Sequence, residues 1–356
     1  MPSVATDPSR DGSPPQATAA FIPFYEQAVY RGGVLGEIAF SIAIGAAFFG
    51  VRWLAVRSAA LTDWSLFLAA LISTSAAMLY YATRVLRNLI PRLATRVDGQ
   101  TTELGVVYEA LSGGFTTRRF LVGGALFALL NLGCGMAFGV AETNGPWGEV
   151  TLYAGFALVG FICGMAVSAI RGVILGIAFV AKHLKADYSA PDGCGGLLFL
   201  GEALVKFASA TLMVGVLISI YIVNAPWTRT NSAHPLVRLL EWVWIVWPFL
   251  LSLLVLADPL STISVALDGY KLSREGELDV KLETLRERIG SPATLTADKD
   301  ELLKEYEFYE QRRGQVYSMR VWPLRLGTRL SYVGVFVGHL GASVFNVILS
   351  LSKHPP

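Results

Sequence analysis

The chain has 356 residues, 53% of them apolar and 16% charged, and 29 Lys+Arg against 27 Asp+Glu leave a net charge of +2. Soluble globular domains carry about 25% charged residues, so this composition excludes a soluble enzyme, a disordered protein and a basic nucleic-acid binder. Three cysteines in this length exclude a disulfide scaffold. What remains is an integral membrane protein with several spans. Its expected partner is the lipid bilayer, and no nucleic acid is expected.

Residues 1–32 are polar and broken by Pro2, Pro8, Pro14, Pro15 and Pro23. They lack the apolar core of a secretory signal, so they read as a disordered cytosolic tail, with 21–30 as an interfacial helix at most. A spanning helix needs about 20 mostly apolar residues. Such stretches lie at about 33–53, 64–83, 120–141, 150–181, 197–223 and 236–257, which makes 33–257 a transmembrane bundle. A last apolar stretch within 326–356 is rich in Gly and Ser, and reads either as a further span or as a re-entrant or interfacial element. The expected fold is all-α: a polytopic helical membrane bundle of six or seven spans.

Most Lys and Arg residues fall on one set of connections: the tail, 84–119, the link after the fourth span, and 258–325. The positive-inside rule then places the N-terminus in the cytoplasm. Trp147, Trp227, Trp242, Trp244 and Trp247 cluster toward the other side, as an interfacial belt does. In 84–119, apolar residues recur at helical spacing between arginines, which predicts a basic amphipathic helix continuing the second span and bent at Pro91. It suits a surface of anionic headgroups, or a regulatory partner.

Residues 258–325 form the sizeable aqueous segment. Asp258-Pro259 reads as a helix start. Leu278, Leu282, Leu285 and Ile289 step in heptad fashion, and Gly290-Ser291-Pro292 breaks the helix. A second helix capped by Asp298 or Asp300 carries Leu302, Tyr306, Tyr309, Arg313 and Val316. The pair predicts a cytosolic helical hairpin that returns to the membrane at Trp322-Pro323. It is either a packed hairpin with solvated faces, or the contact surface for a second copy of the chain or a cytosolic protein.

No phosphate-binding loop, HExxH, GxSxG or CxxC motif occurs. The chain therefore reads as a non-enzyme with no catalytic residues, no metal and no cofactor. A membrane-embedded enzyme using His183, Asp192 and Cys194 is the minority reading.

Four candidate groups remain. Gly160, Gly164, Ser168, Gly172 and Gly176 follow one another every four residues in the fourth span. Such ribbons let helices approach closely; the alternative is a Gly-lined permeation face. Arg171 interrupts the same span and either snorkels at the inner interface or faces protein or a cavity. Glu37, early in the first span, needs a partner, and Arg171 at similar depth is the expected one. Glu202 and Lys206 pair at i,i+4 or join Glu37 and Arg171 in a hydrated inner vestibule. Asn131, Asn224, His339 and Asn346 read as interhelical hydrogen-bonding groups.

The most distinctive segment is 183–200, with Asp187, Asp192, Cys194, Gly195 and Gly196. It reads as a tight turn in which Asp192 caps exposed amides, or as an anion or regulatory site before a helix start. A metal held by His183, Asp187, Asp192 and Cys194 matches no standard spacing. Pro191-Asp192-Gly193-Cys194-Gly195-Gly196-Leu197, then Phe199-Leu200-Gly201 and later Trp322-Pro323, resembles a group of uncharacterised bacterial multi-span membrane proteins with a D-x-x-G-G-L loop and a late Trp-Pro. The resemblance covers about the second half of the chain. It implies a bacterial inner-membrane setting and no known activity. The expected function is a channel or transporter for an ion or small solute; the alternative is a non-transporting scaffold or sensor acting through its hairpin.

Overall fold

The computed structural model describes residues 25–26, 29, 32–57, 59–94, 96, 116–137, 145–181, 186–224, 235–291 and 296–353. All regular structure among them is helical: α1 Gly33–Val56, α2 Ser65–Ala94, α3 Thr117–Ala137, α4 Gly145–Ala181, α5 Leu198–Asn224, α6 Pro235–Gly290, α7 Thr296–Ser318 and α8 Leu326–Lys353, with a single turn, Ala59–Thr62, between α1 and α2. Six of these helices, α1 to α6, are long and apolar enough to cross a membrane. The chain is a multi-pass integral membrane protein.

Helices α2, α4, α5 and α6 form the centre, where Leu68, Ile72, Leu204 and Ile263 are almost fully buried. Helix α1 packs on α2 and α4, α3 on α4, and α8 on α5 and α6. The small-residue ribbon explains the α3–α4 contact, the most extensive in the molecule. A Cβ on Gly160 would meet the Phe127 carbonyl at 2.5 Å, Gly164 lies against the backbone of Gly123, and Ser168 fills the space a Gly123 side chain would need. Gly172 and Gly176 are buried farther along α4. Gly160, Gly164 and Ser168 form a packing seam against α3, as small-residue steps allow in lipid.

Charged side chains lie at two levels. At one, Arg52 is fully buried and donates to the Asp63 carboxylate at 2.5 Å, Ser65 Oγ at 2.9 Å, Thr151 Oγ1 at 3.0 Å and the Gly148 carbonyl. At the other, Arg84 pairs with Glu37 and Arg87 with Glu26. The rise per residue separates Arg52 from Glu37 by about 22 Å along α1, and Ser65 from Arg84 by about 28 Å along α2. The apolar slab between the two belts matches a hydrocarbon core of about 30 Å. Trp147, Trp242, Trp244 and Trp247 lie toward the Arg52 end of their helices.

Two expectations are corrected here. Tyr25, Glu26 and Val29, placed within the disordered tail, are packed: Tyr25 hydrogen-bonds Thr83 at 2.6 Å and meets the Phe120 ring edge-on, while Glu26 and Val29 are buried. Asp258-Pro259 does not start a helix, because α6 runs unbroken through Pro248 and Pro259. The Pro248 ring fits against Gly215, and the Asp258 carbonyl accepts from the Ser261 and Thr262 hydroxyls. The stretch after Trp322-Pro323 is one continuous helix, α8.

Beyond the apolar slab, α6 extends and α7 folds back on it, burying Leu278, Leu282, Leu285, Leu302 and Val316. Lys281 lies over the Tyr309 ring and Arg313 reaches Asp279 at 3.3 Å. This is the helical hairpin, and it lies on the same side as the Glu37–Arg84 belt.

Candidate functional site

The loop before α5 is built around one carboxylate. Asp192 Oδ1 accepts from the backbone N–H of Cys194 and of Gly196, each at 2.9 Å, and Oδ2 accepts from Leu198 N–H at 3.0 Å. Burial pushes the Asp192 carboxyl up, but these three amides and the Arg96 charge outweigh it and hold it below its ordinary range. Gly195 and Gly196 sit at φ +65° and +80°, where a side chain would be strained. A Cβ on Gly196 would also meet the Arg96 guanidinium at 2.5 Å. Asp187, held low by hydrogen bonds from Ser189, lies 3.9 Å from Arg96.

The hairpin return closes over this loop. Arg320 N–H donates to the Gly193 carbonyl at 2.8 Å, and the Arg320 guanidinium to the Asp192 carbonyl at 3.3 Å. The fully buried Cys194 thiol donates to the Trp322 carbonyl at 3.5 Å, and Pro323 lies against Gly201. Desolvation pushes the Cys194 thiol up, partly countered by the charge of Arg320, so it is not an activated thiolate. The D-x-x-G-G-L loop and the Trp-Pro step are thus two halves of one interlocked junction. Its amides are occupied by Asp192, which leaves no vacant anion cradle inside the loop.

Among the described residues, no ion pair joins the four residues of the expected vestibule. Glu37 pairs with Arg84 rather than Arg171. Arg171 is exposed on α4, about 35 Å along the helix from Gly148, which puts it at the hairpin-side boundary where an arginine reaches water. Glu202 is half-buried and Lys206 exposed, with no ion pair between them. Among the described residues no group of three or more His, Cys, Asp or Glu side chains is placed to hold a metal. His183 and residues 97–115 of the expected amphipathic segment lie outside the described residues. Asn131 donates to the Phe156 carbonyl at 3.2 Å and Asn224 to that of Ile220 at 2.9 Å.

What sequence reading missed is an apolar cleft of about 100 Å³, partly open to the surroundings, between α2, α4, α5 and α6. It is lined almost wholly by carbon, with Ser75, Cys163 and Thr211 as its few polar groups. A second cleft of about 60 Å³ shares Cys163, Ile218 and Trp244 with it, so the two adjoin. Together they follow α4 from Phe156 to Val173, about 25 Å at the helical rise. Only the three-dimensional arrangement reveals this space, because its lining residues look like ordinary core in sequence. Compared with protein-family models, curated proteins and solved structures, the chain matches none.

Proposed function

We propose that this membrane protein is a transporter or carrier that takes a small lipophilic solute into the cleft between α2, α4, α5 and α6. The long, carbon-lined cleft carries this reading. A binding site that is concave, apolar and sparsely polar suits an acyl or isoprenoid-like chain. An ion would find no compensating ligands there, and its desolvation would be prohibitive. The expectation of a transporter is therefore kept, but its path is moved from Glu37, Arg171, Glu202 and Lys206 to the cleft, and the solute becomes apolar. The setting we propose is the bacterial inner membrane with the hairpin and N-terminus in the cytoplasm, supported by the charge bias of the connections and by the loop and Trp-Pro resemblance.

The test is binding and transfer of a fluorescent fatty acid by the purified protein in proteoliposomes. Wild type should take up the probe above the level of empty liposomes. Ala166→Phe with Ala210→Phe, which fills the cleft, should lose uptake while retaining its thermal transition. Uptake unchanged in the filled variant rejects the reading.

A second reading, the non-transporting scaffold, is favoured by the outer face of the hairpin, where Val280, Leu303, Phe308 and Tyr317 are exposed. Leu303→Glu with Phe308→Glu should then remove co-purifying partners without changing probe uptake.

A further inference from the structure

Three arginines gather where the hairpin re-enters the bundle. Arg320 precedes Trp322, and Arg325 and Arg329 flank the first turn of α8. Arg329 lies over the Trp322 ring at 5.4 Å, and its Nε is sealed from solvent with no hydrogen-bond acceptor. Protein atoms cover that Nε, so the terminal nitrogens of Arg329 are the donors that a ligand would meet. The Arg325 side chain likewise meets no carboxylate among the described residues. All three charges act on the Cys194 thiol, so they share one corner. The nearby acids are already engaged: Asp192 by three amides of its own loop, Asp187 by Ser189 and Arg96. The first turn of α8 contains no acidic residue, and its leading amides add partial positive charge.

We infer that Arg320, Arg325 and Arg329, with the start of α8, bind a phosphate group at the hairpin-side membrane surface. Tetrahedral phosphate oxygens accept the forked donors of guanidinium at close range, which carboxylates elsewhere in this corner do not. The phosphate belongs either to the headgroup of an anionic lipid or to a soluble phosphate. The depth favours neither a buried ion pair nor free solution: Trp322 marks the interface, and α8 enters the bundle from here. The site is separate from the cleft and does not depend on what fills it.

The experiment uses the full-length protein in phosphatidylcholine nanodiscs. One arm adds phosphatidylglycerol and the other inorganic phosphate, each followed by the midpoint of thermal unfolding and by native mass spectrometry. Wild type should be stabilised by at least one of them. A rise with phosphatidylglycerol alone assigns the site to a lipid headgroup, and a rise with inorganic phosphate alone assigns it to a soluble phosphate. Arg325→Gln with Arg329→Gln should weaken the effective ligand about tenfold or more, while Arg274→Gln in the hairpin leaves it unchanged. If the double variant does not fold, Arg329→Lys carries the test, because it keeps the charge and loses the fork; about threefold weaker binding is expected. Stabilisation by neither ligand overturns the inference, as does undiminished binding in the double variant or, failing that, in Arg329→Lys.

Discussion

The backbone carbonyl of Pro323 occupies the space that a Cβ on Gly201 would need. This single contact joins the second turn of α5 to the hairpin return, beside the buried Cys194 thiol and Trp322 carbonyl. Adding one methyl at Gly201 forces backbone against backbone, with no flexible side chain to yield. Gly201→Ala should therefore lower stability by about 1–3 kcal/mol or more. Gly314→Ala, in the exposed middle of α7 with nothing within 4 Å of its Cβ, should instead add about 0.5–1 kcal/mol. Thermal unfolding in detergent, followed by circular dichroism, compares the two. Equal midpoints for Gly201→Ala and wild type would mean that the return is not locked at this point.

The Asp192 carboxylate predicts a pH dependence whose sign is fixed by its depressed pKa. In the unfolded chain its carboxyl titrates near 3.9, whereas the folded value is lower. Folding is thus favoured by the ionised form. That contribution is fully present above about pH 4 and is lost as pH falls through the folded value. Asp192→Asn retains one acceptor oxygen but presents an NH₂ group to amides that are themselves donors. It should cost about 1–2 kcal/mol at neutral pH and flatten the acid side of the stability curve. An acid limb of unchanged steepness in Asp192→Asn would show that another carboxylate governs it.

Arg52 anchors three segments at the far boundary, with all of its side chain buried. Removing it leaves the Asp63 carboxylate and the Gly148 carbonyl without their donor. Arg52→Ala should cost about 3–5 kcal/mol, as the loss of one partner of a buried pair does. Removing Asp63 as well should cost much less than the sum of the two single changes. Additive losses across the cycle would mean that the Asp63 contact contributes little and that the hydroxyl and carbonyl acceptors dominate.

The spans were legible because a bilayer imposes a long apolar run on each of them, whatever its neighbours. Asp192 as a cap was legible for a related reason: the loop carries its own acceptor two, four and six residues before the amides that need it. The burial of Arg52 was not legible, because a lone arginine near a span end reads as an interfacial anchor. Its burial depends on Asp63 and Gly148, which only the packing of α1, α2 and α4 brings together. Glu37 posed the same difficulty. Sequence depth pointed to Arg171, but α1 packs on both α2 and α4, and it is Arg84 on α2 that meets Glu37. Pro259 looked like a helix start because prolines end helices in water, whereas here the surrounding bundle lets α6 continue.

The Glu37–Arg84 pair separates the two accounts of the hairpin-side charges. Glu37 is almost buried and Arg84 about a third exposed, so each shields the other from lipid at the slab boundary. A double-mutant cycle with Glu37→Gln and Arg84→Gln should give a coupling of about 1–3 kcal/mol in thermal stability. The same cycle with Arg171→Gln should give a coupling near zero, and Arg171→Gln alone should stay within about 0.5 kcal/mol of wild type, as an exposed surface change does. Uptake of the lipophilic probe should be unaffected by Arg171→Gln, because that residue lines neither cleft. Coupling between Glu37 and Arg171 larger than that between Glu37 and Arg84 would instead place both charges in a common vestibule, and the path would then have to be sought along α1 and α4 rather than in the apolar cleft.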